Sequence, residues 1–185
     1  AITDQGKMTD DLKKKILSAE TLVAVDDLYR PYRPKKQTRA TKAKEKGLEP
    51  LANILLLQKT TKSMEEEAAA FVNAANGVAN AKEAIAGAHD IIAEMIADMA
   101  DYRKSIRNCT MKQGSLVVKA KDEKAESVYE MYYDLREPLS KVTGYRVLAI
   151  NRGEKEKLLT VKVEAPDVQI INALTKNKVK DHITT

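Results

Sequence analysis

Eight basic residues, Arg30, Arg33, Lys35, Lys36, Arg39, Lys42, Lys44 and Lys46, fall within seventeen positions and face a single acid, Glu45. That stretch carries a net +7 while the whole chain carries +5, so the remaining residues sum to −2. Charge concentrated in this way raises a local potential that attracts polyanions, which evenly spread basicity does not. The chemistry on offer is contact with phosphate, and RNA or DNA is the first partner to consider. Arg30, Arg33, Lys35, Lys36, Arg39, Lys42 and Lys46 are the candidate contact residues. The same stretch has a plainer reading: Asp26 and Asp27 pair with Arg30 at helical spacing, Tyr29 and Tyr32 pack, and the lysines are simply solvated.

Other chemistries have little to work with. His89 and His182 are far apart, and Cys109 is the only cysteine, so no zinc spacing is complete. His89, between Ile85 and Ile92, reads as a helix-packing residue, and Cys109 as a small hydrophobe. The seven glycines form no GxSxG, no phosphate-binding GxxxxGK loop and no GxGxxG. Glu65, Glu66 and Glu67 stand at a helix start, where acids complement the dipole. Two-metal cleavage of a phosphodiester needs converging carboxylates, and these acids sit on helix surfaces or starts. No catalytic residue, no metal ligand and no cofactor is assigned, and the chain reads as a non-enzyme.

The elements that must present the basic residues are mostly helices. Thr9 caps a helix opened by Asp10 and Asp11, and a second piece covers Leu22–Tyr29. Pro31 and Pro34 make residues 30–37 a stiff connector. Thr38 caps a short helix that ends at Gly47, suited to a left-handed position. There Arg39, Lys42 and Lys46 form one cationic stripe, and Ala40, Ala43 and Gly47 a small-residue stripe that permits close docking. Pro50 opens a leucine-rich helix. Helix, glycine turn and helix resemble a helix-turn-helix, but among residues 51–57 only Asn53 is polar, so reading of base edges is not expected. Phosphate contact without sequence specificity is the better functional reading.

Further along, a helical block begins near Met64, and Asn80 precedes a long periodic stretch closed by Gly114. Its Ile85, Ala88, Ile92, Met95, Ile96 and Met99 recur at three and four residues. SLVVKA and LLTVKVE read as two strands that pair with each other. Between them lie a tyrosine-rich helix with Tyr129, Tyr132 and Tyr133, a break at Pro138, and the helix YRVLAINRGEKEK. In that helix Val147, Leu148 and Ile150 are expected in the core, with Arg152, Glu154 and Lys155 outside. The fold class is mainly α, multihelical with a small two-stranded β element. Residues 1–114 form a helical region and 115–185 a small α+β region of strand, helices, strand and helix.

With 185 residues, 43% hydrophobic and 32% charged, the chain can bury a core in one or two small domains. No apolar run approaches the roughly 18 residues of a membrane span, and no apolar signal core opens the chain. A single cysteine suits a reducing compartment, so cytoplasmic localisation is expected and no membrane partner. With no initiator methionine, the chain is expected to be a piece of a longer protein.

DLYRPYRPKKQTRATKAKEKGLEPLA resembles the signature of the bacterial Tex family of transcription accessory proteins. AIAGAHDIIAEMIADMADYRKSIR, YEMYYDLREPLSKV and YRVLAINRGEKEKLLTVKVE agree with that family in order. The resemblance implies a long, mainly helical cytoplasmic protein related to a eukaryotic transcription elongation factor. In such proteins an RNase H-like domain, helix-hairpin-helix elements and a C-terminal OB-fold follow, and the OB-fold is the expected main nucleic-acid contact. Arg30 and Tyr145 stand where family members often have an apolar residue and a histidine, so no role of that histidine carries over. The resemblance implies a role in transcription or RNA metabolism rather than catalysis. The leading reading is thus a helical scaffold and nucleic-acid-binding region that contacts RNA or DNA backbone. The alternative is a module that docks on transcription machinery or on the protein's own other domains.

Overall fold

A computed structural model of the chain describes residues 1–34 and 36–178, and Lys35 and His182 lie outside the described residues. Nine α-helices and one three-stranded antiparallel sheet occur among them, so the fold is mainly α with a small β element. The described chain divides into two compact units, Ala1–Arg103 and Lys104–Asn177.

In the first unit, the helices are α1 (Asp10–Leu17), α2 (Leu22–Tyr29), α3 (Arg39–Glu45), α4 (Glu49–Leu57), α5 (Met64–Ala69) and α6 (Ala81–Ala97). Their starts are written in the sequence. The hydroxyls of Thr9, Thr21, Thr38 and Ser63 and the amide oxygen of Asn80 each accept a backbone N–H of the first turn. Ser63 and Glu66 complete a reciprocal capping box. Helix α6 is the axis of the unit, and α3, α4 and α5 pack on it. The core joins Ala40, Ala43, Leu48, Leu51, Ala52, Ala68, Val78, Ala84, Ala88 and Ile91. The helices come close because the facing residues are small: a Cβ added at Gly87 would lie 2.4 Å from Leu48 Cδ1 and 3.3 Å from Ala43 Cβ.

The long periodic stretch is not one helix. It breaks at Asp98 and resumes as α7 (Ala100–Gln113). Ion pairs from α2 and its C-terminal end grip both sides of the break, Arg30 to Asp98 at 3.0 Å and Asp27 to Arg103 at 2.6 Å. Met95 and Met99, expected on the buried face, are 39% and 38% exposed at this end, while Ala84 and Ile91, which the three-and-four spacing passed over, are fully buried. His89 is exposed rather than packed, because the inward positions of its turn are taken by Ala84, Ala88 and Ile91.

The second unit holds β1 (Ser115–Ala120), β2 (Asp134–Pro138), α8 (Gly144–Lys155), β3 (Leu159–Glu164) and α9 (Asp167–Lys178), with strand order β2-β1-β3. The expected pairing of SLVVKA with LTVKVE is present, antiparallel, with Leu116 opposite Val163 and Val118 opposite Val161. The third strand, β2, runs up to Pro138, where the sequence suggests only a break, so the sheet has three strands rather than two. A 3-10 turn at Glu130–Tyr132 replaces the tyrosine-rich helix and buries Tyr132, leaving the following residues free to pair with β1. Leu116, Val118, Leu159, Ile150, Tyr129 and Tyr132 form the core of this unit.

Helix α8 packs on β3 through Gly153, where an added Cβ would meet Leu159 Cδ1 at 2.6 Å. Ile150 is buried as expected, whereas Val147 and Leu148 are 40% and 68% exposed. The inner line of α8 runs through Ile150 and Gly153, one turn apart, so Leu148 faces away from it. No helix among the described residues is long and apolar enough to cross a membrane.

Candidate nucleic-acid interface

Helix α3 is fixed from both ends and from below. At its start the Thr38 hydroxyl accepts from Thr41 N–H at 3.0 Å and donates to Glu94 Oε1 of α6 at 3.0 Å. Along its inner side Ala40 and Ala43 are 2% and 4% exposed. At its end Gly47 takes φ +81°, and Leu48 N–H then reaches Ala43 O at 3.1 Å, reversing the chain into α4. A left-handed position of this kind suits glycine. Gly47 itself is exposed, so the buried small-residue stripe consists of Ala40 and Ala43. Helix α4 turns Leu51 and Ala52 fully inward and leaves Glu49, Asn53 and Leu57 exposed.

The outer side of α3 carries Arg39, Lys42 and Lys46, all exposed, as the spacing predicts. Their partners differ. Arg39, 87% exposed, lies 3.3 Å from Asp90. Lys46 donates to the carbonyl of Gly77 at 2.7 Å and so tethers the turn that precedes α6. Lys42 and, before the helix, Lys36 are exposed and have no ion pair among the described residues. Lys44, the cation left out of the stripe, pairs with Glu49 at 3.2 Å.

The arginines of the connector are each engaged by an acid. Arg30 donates from Nε to Asp98, whose side chain is only 11% exposed. Arg33 pairs with Asp26 and covers the Tyr29 ring at 5.7 Å. Asp27, expected to serve Arg30, is buried and receives Arg103 instead. Asp98 and Arg103 are 68 and 76 residues from their partners, and Gly77 is 31 from Lys46, so no local pattern could have announced them. Lys35 lies outside the described residues.

Beside this face, α1, α2 and the junction of α6 and α7 enclose a cleft of about 550 Å³. Its walls include Asp11, Asp27, Glu94, Asp98 and Asp101 against Lys15 and Lys44, over a floor containing Tyr32, Met95 and Met99. Several of these acids are already engaged, Asp11 by Lys15 at 2.8 Å, Asp27 by Arg103 and Asp98 by Arg30. No group of three His, Cys, Asp or Glu among the described residues is placed to hold a metal ion.

Comparison with known proteins places this architecture. Residues 59–185 match the family model described as Tex central region-like. The protein YdcI of Bacillus subtilis (strain 168) is 44% identical over 187 residues, covering 100% of this chain and 26% of that protein. Transcriptional accessory protein Tex of Neisseria gonorrhoeae is 35% identical over 164 residues, 87% of this chain and 21% of that protein. S1 RNA-binding domain-containing protein 1 of Homo sapiens is 31% identical over 176 residues, 90% of this chain and 17% of that protein. The chain thus spans about a quarter or less of the length of these relatives. By the family match over most of its length and by these likenesses, the chain belongs to the Tex family, with residues 59–185 matching its central region.

Proposed function

We propose that this region is a helical scaffold and nucleic-acid-binding segment of a cytoplasmic Tex-like transcription accessory protein. It contacts RNA or DNA backbone phosphate and does not read base sequence. The observation that carries this reading is the outer face of α3, where Arg39 and Lys42 project into solvent from a helix locked onto α6 by Ala40 and Ala43. A rigid helix that holds cations in a fixed row loses little entropy on meeting a phosphate backbone. The names of two relatives, a transcriptional accessory protein and an S1 RNA-binding domain-containing protein, support the setting. No catalysis is assigned to this region.

The test is binding of unrelated RNA and DNA sequences across a salt series. Changing Lys36, Arg39 and Lys42 together to glutamate weakens all sequences alike and flattens the slope of log K against log salt by about 0.7 to 0.9 for each phosphate no longer neutralised. Reversing Lys13, Lys14 and Lys15 on α1 is the control. Equal weakening by both triple variants would mean that diffuse charge, not the α3 face, does the binding.

A second reading, docking on transcription machinery or on other domains of a longer chain, draws on a separate observation. Leu17, Leu22 and Val23, around the link between α1 and α2, are 77%, 86% and 51% exposed. A protein complex abolished by Leu22→Asp, with nucleic-acid affinity intact, is the outcome that favours it.

A further inference from the structure

The chain has seven tyrosines and one phenylalanine, all among the described residues, and seven of these eight rings are at least partly sheltered. Tyr145 is the exception, 65% exposed in the first turn of α8. An exposed ring in a chain with few aromatics gains nothing from the hydrophobic effect where it stands. Its neighbours along the helix are as exposed. Leu148, Arg152 and Lys155 follow at three, seven and ten residues, which places all four on one side of the helix, opposite Ile150 and Gly153. By helical rise they extend over about 15 Å.

Arg152 and Lys155 have no ion pair among the described residues. Glu156, exposed and one turn beyond Arg152, accepts the Tyr129 hydroxyl at 2.9 Å, and Glu154 falls about 100° around the helix from Lys155, away from the exposed row. The platform is also stiff. Arg146 Nη1 reaches both carboxylate oxygens of Glu137 on β2 at 2.7 Å, and Gly153 seats the other end against Leu159.

We propose that this outward side of α8 binds single-stranded nucleic acid, Tyr145 and Leu148 lying against a base and Arg152 and Lys155 meeting the neighbouring phosphates. Every base has a stackable face, so an aromatic ring in line with cations binds single strands with little regard to sequence. A duplex keeps its bases stacked and offers Tyr145 no such face. A neutral protein segment would satisfy Leu148 but would leave Arg152 and Lys155 unmatched, whereas a single strand offers a stackable face and phosphates together. The residues differ from those of the α3 face, and neither site needs the other.

The experiment measures fluorescence anisotropy of labelled oligo(dT), oligo(rU) and a blunt duplex of about twelve nucleotides with the 185-residue chain, over a salt series. Tyr145→Ala is expected to weaken both single strands about 5- to 150-fold, the range of one stacked base, with little change for the duplex. Tyr145→Phe keeps the affinity. Arg152→Ala with Lys155→Ala flattens the single-strand salt slope by about 1.4, at 0.7 per phosphate. All three substituted side chains are exposed, so the fold stands. The proposal is overturned if the unaltered chain binds neither oligonucleotide, if Tyr145→Ala has no effect, if the duplex loses as much, or if Tyr145→Phe loses as much as Tyr145→Ala. A silent Tyr145→Ala beside a strong effect of the Lys36, Arg39 and Lys42 reversal defeats this site and keeps the α3 reading, and the converse result does the reverse.

Discussion

Adding one methyl group at Gly87 tests whether α3 is held where its cations need it. The new Cβ would stand 2.4 Å from Leu48 Cδ1, closer than carbon atoms approach, and 3.3 Å from Ala43 Cβ. Leu48 is 1% exposed, so its side chain has no solvent to swing into and the helices must part instead. Overpacking of this kind costs about 1 to 3 kcal/mol. Against it stands the propensity gain of replacing glycine in a helix interior, about 1 kcal/mol. Gly87→Ala is therefore expected to destabilise by about 1 kcal/mol net, although the same change on an open helix face stabilises. Leu48→Ala alone opens a cavity and costs about 2 to 5 kcal/mol. Joined with Gly87→Ala, it gives the new methyl room, so the double variant should lose about 1 to 2 kcal/mol less than the sum of the single losses. Urea unfolding of the four proteins, with the slope m checked for constancy, measures the coupling. A Gly87→Ala protein more stable than the parent, with effects that add to those of Leu48→Ala, would show that α3 and α4 do not pack on α6 as described.

Gly47→Val should lower the thermal midpoint by more than Lys44→Ala. The first forces a β-branched residue to φ +81°, at about 1 to 2 kcal/mol or more, and the second removes only the exposed pair with Glu49, worth about 0 to 1 kcal/mol. Arg30→Ala should destabilise more than Lys36→Ala in the same melt, by about 1 to 3 kcal/mol, because it removes a charge-assisted hydrogen bond to the buried carboxylate of Asp98 while Lys36 is exposed and has no ion pair among the described residues; equal midpoints would refute the role given to this pair. In an alkaline ultraviolet titration, Tyr145 should ionise earlier than a free tyrosine, since the side chains of Thr143 and Arg146 favour its phenolate. Tyr129 should ionise later, held up by burial and by its hydrogen bond to Glu156. A raised folded pKa contributes stability that is full below the unfolded value of about 10 and is lost above it, so Tyr129→Phe should flatten the fall of stability at high pH; the reverse order of ionisation would contradict the geometry.

Helix starts and stops are local matters, settled within three or four residues, and the chain alone sets them. Thr9, Thr38, Ser63 and Asn80 cap helices because a side-chain oxygen meets backbone donors within three residues, and Gly47 turns left-handed because nothing else there does so without strain. The alternation of LTVKVE and its pairing with SLVVKA were legible for the same reason, since period and length fix a strand's face. The exposed row on α3 followed from spacing alone. Which cations are engaged is instead an outcome of the folded arrangement. Arg30 and Lys46 are held by Asp98 and Gly77, and Arg103 by Asp27, across separations no local pattern encodes. The fold also brings β2 into the sheet and turns Tyr145 and Leu148 of α8 outward, because Gly153, small enough to let the helix reach Leu159, sets which side of α8 is the inside. A helix's apolar residues name the candidates for its buried face, and the surface it meets makes the choice.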